Sequence, residues 1–385
     1  MIIFPTAYVI PRGIHILLSI CLALFVFPQK FRFDKFIILL SLIMYTFCIF
    51  ALMNGVIKGN DIVSSILLYT AWPLVFLLLS SYSINKEDFV SLEKTIINIS
   101  AFGCILVLIG VILILFFGKN FFYEEIFPVQ LGFVYGIPKI GSQFLPILCF
   151  TIPFTFFWMI DKSKSSRNHG FFLFAFMVFF SLLTGRSVFL LMLLALAFLV
   201  LFHVLLTTNR SLKSILKYLI YTTIILYVLY ILFPDIFSTS FDILYKKVFG
   251  IYDEELGSSR RLEQSINLYQ QIYNNPMFGM GINATELPGR SEVIAFELTY
   301  LQIILNFGII GFTILLFGNF TILFNLFLFF SRHNSINVVA PWMYGYLIYL
   351  ICAFTNPILL KFDRLWILWI PVFLYLNRHK IICVK

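Results

Sequence analysis

Residues able to transfer protons or bind anions are concentrated in one hydrophilic stretch, 234–297. This stretch holds nine of the eighteen Asp and Glu residues of the chain, together with Arg260, Arg261 and Arg290. Carboxylates transfer protons, and arginines bind oxyanions through a planar fork of N–H groups. The combination suits chemistry on a phosphate-containing substrate. Glu297 adjoins an apolar segment, where an ionisable side chain is costly unless it is used or paired.

A helix is predicted to position two of these arginines. Residues 259–273 have two stripes at helical spacing, one apolar (Leu262, Ile266, Tyr269, Tyr273) and one polar (Arg260, Gln264, Asn267, Gln271). Ser258 or Ser259 can cap the start, and Asn274-Asn275-Pro276 ends the pattern. Arg260 and Arg261 lie in the first turn, where unpaired N–H groups already favour anions. We expect this amphipathic helix to lie in a membrane interface.

Two glycine-containing segments follow this helix. The run FGMGIN at 278–283 is predicted to form a tight turn, because a lone G-x-G forms a turn more often than a phosphate-binding loop. Residues 296–307 are apolar but too short to cross a membrane, and Gly308 and Gly311 then open a longer apolar run. The pattern predicts a half-inserted helix that breaks at these glycines and continues as a transmembrane helix.

The composition indicates a membrane protein. Of the 385 residues, 61% are hydrophobic and 12% are charged, whereas a soluble domain has roughly 25% charged residues. Runs of about 20 apolar residues cross a bilayer, and they predict about eleven transmembrane helices (range 10–12). The predicted spans lie near 13–28, 36–53, 62–82, 96–117, 143–160, 170–184, 187–206, 215–233, 308–330, 340–356 and 364–377. The predicted fold is an all-α polytopic integral membrane protein with one large extracytoplasmic loop.

We divide the chain into three parts. Residues 1–233 carry transmembrane helices 1–8. Residues 234–307 form the large extracytoplasmic loop, with the amphipathic helix and the half-inserted segment. Residues 308–385 carry transmembrane helices 9–11 and a cytoplasmic tail.

Orientation follows from the distribution of Lys and Arg between loops. One alternate set carries fifteen of them and the opposite short segments carry seven, so the richer set is predicted to be cytoplasmic. The richer set comprises 29–35, 83–95, 161–169, 207–217, 331–339 and the tail 378–385. The loop 234–296, the tight turn 184–187 and the N-terminus are then placed outside. This asymmetry accounts for the net charge of +9 without a nucleic-acid partner.

Cysteine and histidine usage limits the chemistry of the outer face. Five cysteines lie within predicted spans and Cys383 lies in the tail, while His15 is the one histidine placed on the outer side. An outer disulfide framework, a cysteine nucleophile or a Cys/His metal site is therefore not expected. We interpret Asp253-Glu254-Glu255 as a solvated loop and predict no metal and no cofactor.

Taken in order, these segments resemble motifs of the bacterial O-antigen polymerase and O-antigen ligase superfamily. There, an arginine-led helix precedes an N-P-x-x-G-x-G turn; here, Arg261-Leu262-Glu263 precedes NPMFGMG at 275–281. A segment of the type H-N-x-Y-L, ending in G-I-I-G, follows in the family. Here Tyr300-Leu301-Gln302 is followed by NFGIIG at 306–311. The turn 184–187 also resembles the family's outer-face arginine turn.

The resemblance implies an enzyme that uses sugar chains linked through pyrophosphate to a polyprenol. Where the family's ligases carry a catalytic histidine, three residues before Tyr300, this chain has Glu297, which favours a polymerase of lipid-linked repeat units. Such a reaction needs a base for the acceptor hydroxyl, the role that we expect for Glu297. It also needs positive charge on the departing pyrophosphate, expected from Arg261 and Arg186. The expected substrate-binding residues are Arg260, Arg290 and Tyr300.

The resemblance also implies a location and partners. We expect a multi-pass protein of the bacterial inner membrane with a periplasmic active site, acting on undecaprenyl-pyrophosphate-linked oligosaccharides. A flippase and a chain-length regulator of the same pathway are the expected protein partners. Two other functions remain open, a ligase of the same superfamily and a flippase or transporter of lipid-linked sugars. A transporter should show internal repeats and charged or broken helices at mid-membrane, whereas charges here concentrate on one outer face.

Overall fold

A computed structural model describes residues 31–118, 129–134, 137–160, 167–206, 258–284, 298–354 and 365–382, with isolated positions elsewhere. Within these ranges the chain is predominantly helical. Three of the described helices are long and apolar enough to cross a membrane: Lys35–Ile57, Lys86–Phe117 and Thr299–Arg332. The predicted spans 13–28 and 215–233 and much of the predicted outer loop lie outside the described residues.

The described helices are α1 (Lys35–Ile57), α2 (Ile66–Tyr69), α3 (Ala71–Ser81), α4 (Lys86–Phe117), α5 (Leu148–Ile160), α6 (Arg167–Leu183), α7 (Ser187–Leu206), α8 (Ser258–Asn274), α9 (Thr299–Arg332), α10 (Ile336–Cys352), α11 (Leu365–Leu368) and α12 (Ile370–Ile382). Short 3₁₀ turns precede α2 at Val63–Ser65 and α5 at Leu145–Ile147. Strands β1 (Val129–Val134) and β2 (Ile137–Ser142) form a hairpin. Most apolar runs in the described part are therefore helical, as their composition predicts.

One predicted span, 62–82, is broken into short pieces. Its first residues form a 3₁₀ turn, and α2 then ends at Tyr69 before α3 begins at Ala71. Pro73 has no backbone N–H, so it cannot donate to the carbonyl of Tyr69 as a continuous helix requires. The expectation of one continuous helix over 62–82 is wrong for this reason.

The hairpin is a feature that the all-α prediction lacks. Its strands pair antiparallel, from Val129 opposite Ser142 to Val134 opposite Ile137. Gly132, Pro138 and Gly141 lie within the strands. Because glycine and proline are depleted in strands, local sequence gives little signal for this hairpin.

The chain separates into two compact units that interleave along the sequence. The first unit comprises Met1–Tyr8, Val90–Ser258 and Asn337–Cys352, and the second comprises Val9–Phe89, Ser259–Ile336 and Ala353–Lys385.

In the first unit, α5 is the central helix. All thirteen of its residues are buried, and it packs against α6 and α7. A helix that is apolar on every side can be buried all round. Buried Glu93 of α4 accepts hydrogen bonds from the indole N–H groups of Trp158 on α5, at 3.0 Å, and Trp342 on α10, at 3.1 Å. We call this arrangement the carboxylate clasp, since one side chain links three helices.

In the second unit, α12 packs against α3 and α9, and α9 packs against α1. Near one end of α12, the buried Asn377 side chain donates to the carbonyl of Tyr82 and accepts from the N–H of Ile84. A small buried cluster lies near the start of α9 and consists of Leu305, Leu268 of α8 and Ala284. This cluster supports the turn that forms the candidate site.

Candidate functional site

The turn after α8 and the start of α9 bind each other through their backbones. Gly308 interrupts α9 with φ 69° and ψ 179°, so the helical hydrogen bonds across it are lost. The N–H of Ile309 donates instead to the carbonyl of Pro276, at 2.8 Å. The carbonyl of Leu305 accepts from the N–H of Met280, at 2.6 Å. The turn thus satisfies groups that the kink exposes. We call residues 275–284 together with the Gly308 kink the glycine junction.

Glycine is required at the junction because backbones approach too closely for a side chain. A Cβ on Gly308 would lie 2.1 Å from the carbonyl oxygen of Met277, and one on Gly281 would lie 2.2 Å from the nitrogen of Gly55. Both residues also have positive φ. The predicted tight turn and the predicted break at Gly308 are confirmed.

The junction's amides are bound by the protein itself. The N–H groups of Gly279, Met280 and Ile282 donate to the carbonyls of Asn275, Leu305 and Ala51 respectively. These N–H groups therefore do not form a phosphate cradle, and the glycines serve close packing.

Amide side chains surround the turn from the end of α1 and the loop after it. Asn54 donates to the carbonyl of Gly279 at 3.0 Å, and Asn60 donates to the carbonyls of Met280 and Ile282 at 3.1 and 3.0 Å. Buried Asn283 donates to the carbonyl of Asp61 at 2.6 Å. These bonds satisfy carbonyls that a turn, unlike a helix, leaves unpaired.

Lys58 adds a positive charge to this ring of amides. Its Nζ donates to the Asn275 side-chain oxygen at 2.6 Å and to the carbonyl of Gly279 at 3.3 Å. The side chain is otherwise exposed, and partial burial lowers the pKa of Lys58 from its usual value. The ammonium group therefore holds the turn while one side of it remains open to solvent.

One junction side chain has an unsatisfied atom. The side-chain oxygen of Asn306, two residues before the kink, is buried without a hydrogen-bond partner among the described residues. A buried acceptor of this kind costs about 1–3 kcal/mol.

Helix α8 confirms the predicted helix at 259–273, and it packs on the protein by a different side from its predicted apolar stripe. Gln264 and Leu268 are buried, whereas Tyr269 and Tyr273 of the predicted apolar stripe are 70% and 81% exposed. Leu268 packs against Ala284, so the tertiary contact selects a face that includes a residue of the predicted polar stripe. The other stripe is left as an exposed aromatic surface.

Four of the six predicted site residues, or their side chains, lie outside the part of the chain that the structure describes. Arg260 and Arg261 lie in the first turn of α8, as predicted, but their side chains are outside the described part. Glu297 and Arg290 are also outside it. Leu298, the residue after Glu297, packs against the Leu268 cluster beside the junction.

Tyr300 lies in the first turn of α9, where it is half-buried. Its ring packs 4.2 Å from that of Phe354 and 6.2 Å from that of Phe312, centroid to centroid. These contacts give the tyrosine a fixed position in an aromatic group.

Arg186 belongs to the first unit, in the tight turn between α6 and α7. Gly185 has φ 64°, which allows the turn, and the Thr184 carbonyl accepts from the N–H of Ile140 at 3.0 Å. The Nε of Arg186 donates to the carbonyl of Ile140 at 2.8 Å, and its Nη2 lies against Gly141. The half-buried guanidinium is therefore anchored to the hairpin.

An apolar cavity of about 160 Å³ lies between α1, α9 and α12. Phe307 and Gly311 line it at the junction, and Leu40, Ile322 and Val372 line it farther along the helices. The cavity therefore extends from the kink of α9 along its apolar side.

Sequence reasoning missed the residues from α1 that hold the turn. Asn54, Lys58, Asn60 and Asp61 form a polar group at the end of an otherwise apolar helix. Polar residues concentrated at the end of an apolar run were the available signal. Among the described residues, no three Asp, Glu, His or Cys side chains gather as a metal-binding group.

Comparison with models of known families, with curated proteins and with solved structures gives no match for this chain.

Proposed function

We propose that the chain is a polymerase of polyprenyl-pyrophosphate-linked oligosaccharide repeat units, acting at the outer face of a bacterial inner membrane. The observation that carries the proposal is the glycine junction. The two segments that resemble the O-antigen polymerase and ligase superfamily, 275–281 and 306–311, are separated by residues 282–305 and bind each other backbone to backbone. Their contact supports the proposal because it joins the two motifs into one structural unit.

The junction supports this function by fixing the start of α9. Glu297 precedes Leu298, whose side chain packs in the cluster next to the junction. In the proposed reaction Glu297 removes the proton from the acceptor sugar hydroxyl, which attacks the anomeric carbon of the chain on the second carrier. The anomeric carbon–oxygen bond breaks, and polyprenyl pyrophosphate leaves.

The leaving group carries negative charge that must be stabilised. Arg261 and Arg186 are proposed for this role because guanidinium groups stay charged and bind phosphate oxygens in a fork. Arg260, Arg290 and Tyr300 are proposed to bind the substrate. Lys58 adds a further exposed cation at the junction.

The cavity beside the junction suits the lipid part of the carrier. It is lined mainly by apolar side chains and adjoins the kink at Phe307 and Gly311. Its volume matches about six carbon atoms, so the cavity is proposed to hold only the part of the prenyl chain next to the pyrophosphate, which would then reach the junction end. No nucleotide site is required, since the donor is the lipid-linked sugar.

Deletion of the gene tests the reaction class. Loss of a polymerase should leave surface carbohydrate with a single repeat unit. Loss of a ligase should leave no attached product, and loss of a flippase should trap the carrier on the inner side. Either of the last two profiles would reject the polymerase.

A Glu297→Gln variant tests the proposed base in purified enzyme with lipid-linked repeat units. Glutamine retains size and hydrogen bonding but cannot accept the proton, so the initial rate should fall by roughly 10²–10⁴-fold. Glu87→Gln, the same change at an exposed residue of α4, should leave the rate unchanged. A Glu297→Gln rate within a few-fold of wild type would remove Glu297 as the base and direct attention to Glu292 and Glu286.

A further inference from the structure

Basic side chains gather around one aromatic ring in the second unit, where the C-terminal ends of α9 and α12 meet. The rings of His333 and His379 lie 4.5 and 4.9 Å from the ring of Phe329, centroid to centroid. The guanidinium of Arg378 lies 5.7 Å from the same ring. Arg32, just before α1, contributes to the positive field at His379. We call Arg32, His333, Arg378 and His379 the basic cluster.

The carboxylate of Asp34, next to the cluster, already interacts with groups of the protein. Asp34 lies 3.8 Å from Arg378, and its other oxygen caps α1 by accepting from the N–H of Phe36. Arg378 also donates to the carbonyl of Tyr375 and stacks on the Tyr375 ring. Arg378 is therefore fixed by protein contacts and forms one wall of the cluster.

The other three members have no carboxylate partner among the described residues, and all three are exposed. The Nδ1 of His333 donates to the carbonyl of Phe329 at 2.7 Å, since a carbonyl can only accept. This bond leaves Nε2 available to a ligand. Nearby helix ends add further cations: Lys35 on α1, Arg332 on α9 and Lys380 on α12.

The pKa of His379 is lowered, first by burial and then by the positive charges of Arg378, His333 and Arg32. A bound anion would reverse this repulsion and favour the charged imidazole. Anion binding at this position is therefore expected to take up a proton.

Apolar surface lies next to the charges. Phe33 and Phe36 are 53% and 36% exposed, and the Phe36 ring lies 6.0 Å from that of Tyr375. A ligand that combines a phosphate with a hydrocarbon chain would use both surfaces, whereas a free phosphate would use only the cations.

We propose that the basic cluster binds the phosphate headgroup of an anionic phospholipid, with an acyl chain against Phe33 and Phe36. Membrane surfaces rich in such lipids attract basic residues at helix ends, and each cation near the surface typically strengthens binding about 5-fold. The cluster differs from a general excess of positive charge because Phe329 and the Asp34–Arg378 pair fix its geometry. This lipid site is separate from the proposed transfer reaction and does not depend on it.

Native mass spectrometry of the full-length chain in detergent, with phosphatidylglycerol or phosphatidylcholine added, tests this site. Phosphatidylglycerol should bind more tightly, and Arg32→Gln should weaken its first binding step about 5-fold. Lys94→Gln is the matched control, since Lys94 is an exposed cation of the first unit in a segment that is also predicted to be cytoplasmic. Equal affinity for the two lipids, or an equal loss in the control, would reject the site.

The histidines add a second test. Raising the pH from about 6 to about 8 should weaken phosphatidylglycerol binding, because burial and the neighbouring positive charges lower the pKa of His379, and the proton that anion binding is expected to take up is scarcer at the higher pH. The double variant His333→Gln/His379→Gln should abolish this dependence. A pH effect that persists in the double variant would overturn the assignment. Inorganic phosphate that competes as well as the lipid would instead identify a free-anion site and reject the lipid.

Discussion

The glycine junction and the carboxylate clasp hold the chain in different ways. At the junction, amide side chains bind the carbonyls of an irregular turn, and glycines let backbones touch. In the clasp, Glu93 links regular helices whose backbone groups are already paired, so side chains alone make the connection. Non-helical backbone within an apolar bundle needs dedicated partners and is usually kept where it serves a site. The junction is thus the better candidate for function, and the clasp for stability.

The largest expected effect is at Gly281 in the junction. A Cβ there would lie 2.2 Å from the nitrogen of Gly55, at φ +82°, and backbone atoms cannot move aside as a flexible side chain can. Overpacking and left-handed strain together should lower the free energy of unfolding of Gly281→Ala by about 4 kcal/mol or more. Thermal unfolding of the purified protein in detergent measures the loss.

Gly59→Ala is the matched control for this change. Gly59 has φ +78°, but a Cβ there would meet nothing within 4 Å. It should therefore show only the conformational cost, about 1–2 kcal/mol. Equal losses in the two variants would mean that the turn does not need its close contact with α1.

An intermediate effect is expected when Glu93 of the clasp becomes glutamine. Both carboxylate oxygens accept from an indole N–H, but a glutamine amide offers one oxygen and one N–H₂ group. One indole then faces a donor, and the free energy of unfolding should fall by about 1–3 kcal/mol.

A double-mutant cycle isolates this contact. Trp342→Phe and Trp158→Phe each remove one indole N–H, and one of them should cost clearly less in the Glu93→Gln protein than in the wild type. Strict additivity in both cycles, measured by thermal unfolding, would show that the two indole hydrogen bonds do not stabilise the first unit.

The same comparison shows what local sequence can predict. The break at Gly308 and the helix over 258–274 follow from glycine placement and apolar spacing, which are local signals. The buried side of α8 does not, because Leu268 and Tyr269 are both apolar and the choice depends on Leu305, distant in sequence. The clasp likewise depends on two tryptophans far from Glu93. Sequence therefore predicted α8, the tight turn and the break at Gly308, whereas the partners that hold them required the fold.

The smallest expected effect is at Lys58, which joins the junction by charge rather than by close packing. Lys58→Gln removes donors to Asn275 and to the carbonyl of Gly279, but Asn54 still donates to that carbonyl. For an exposed side chain the change in unfolding free energy should stay below about 1 kcal/mol. Lys35→Gln, at the other end of α1, controls for the loss of any one lysine.

The stability difference between the wild type and Lys58→Gln should also depend on pH. Burial lowers the pKa of Lys58 below the usual 10.5, so the folded chain holds this proton less tightly than the unfolded chain. The resulting cost is fully present at neutral pH and is relieved as the pH rises through the lowered value toward 10.5. The stability of the wild type relative to Lys58→Gln should therefore rise with alkaline pH, measured by thermal unfolding at several pH values. A flat difference would show that the turn does not perturb the Lys58 pKa, and a falling one would show that the ammonium group is stabilised by its contacts with the turn; either result would contradict the lowered pKa.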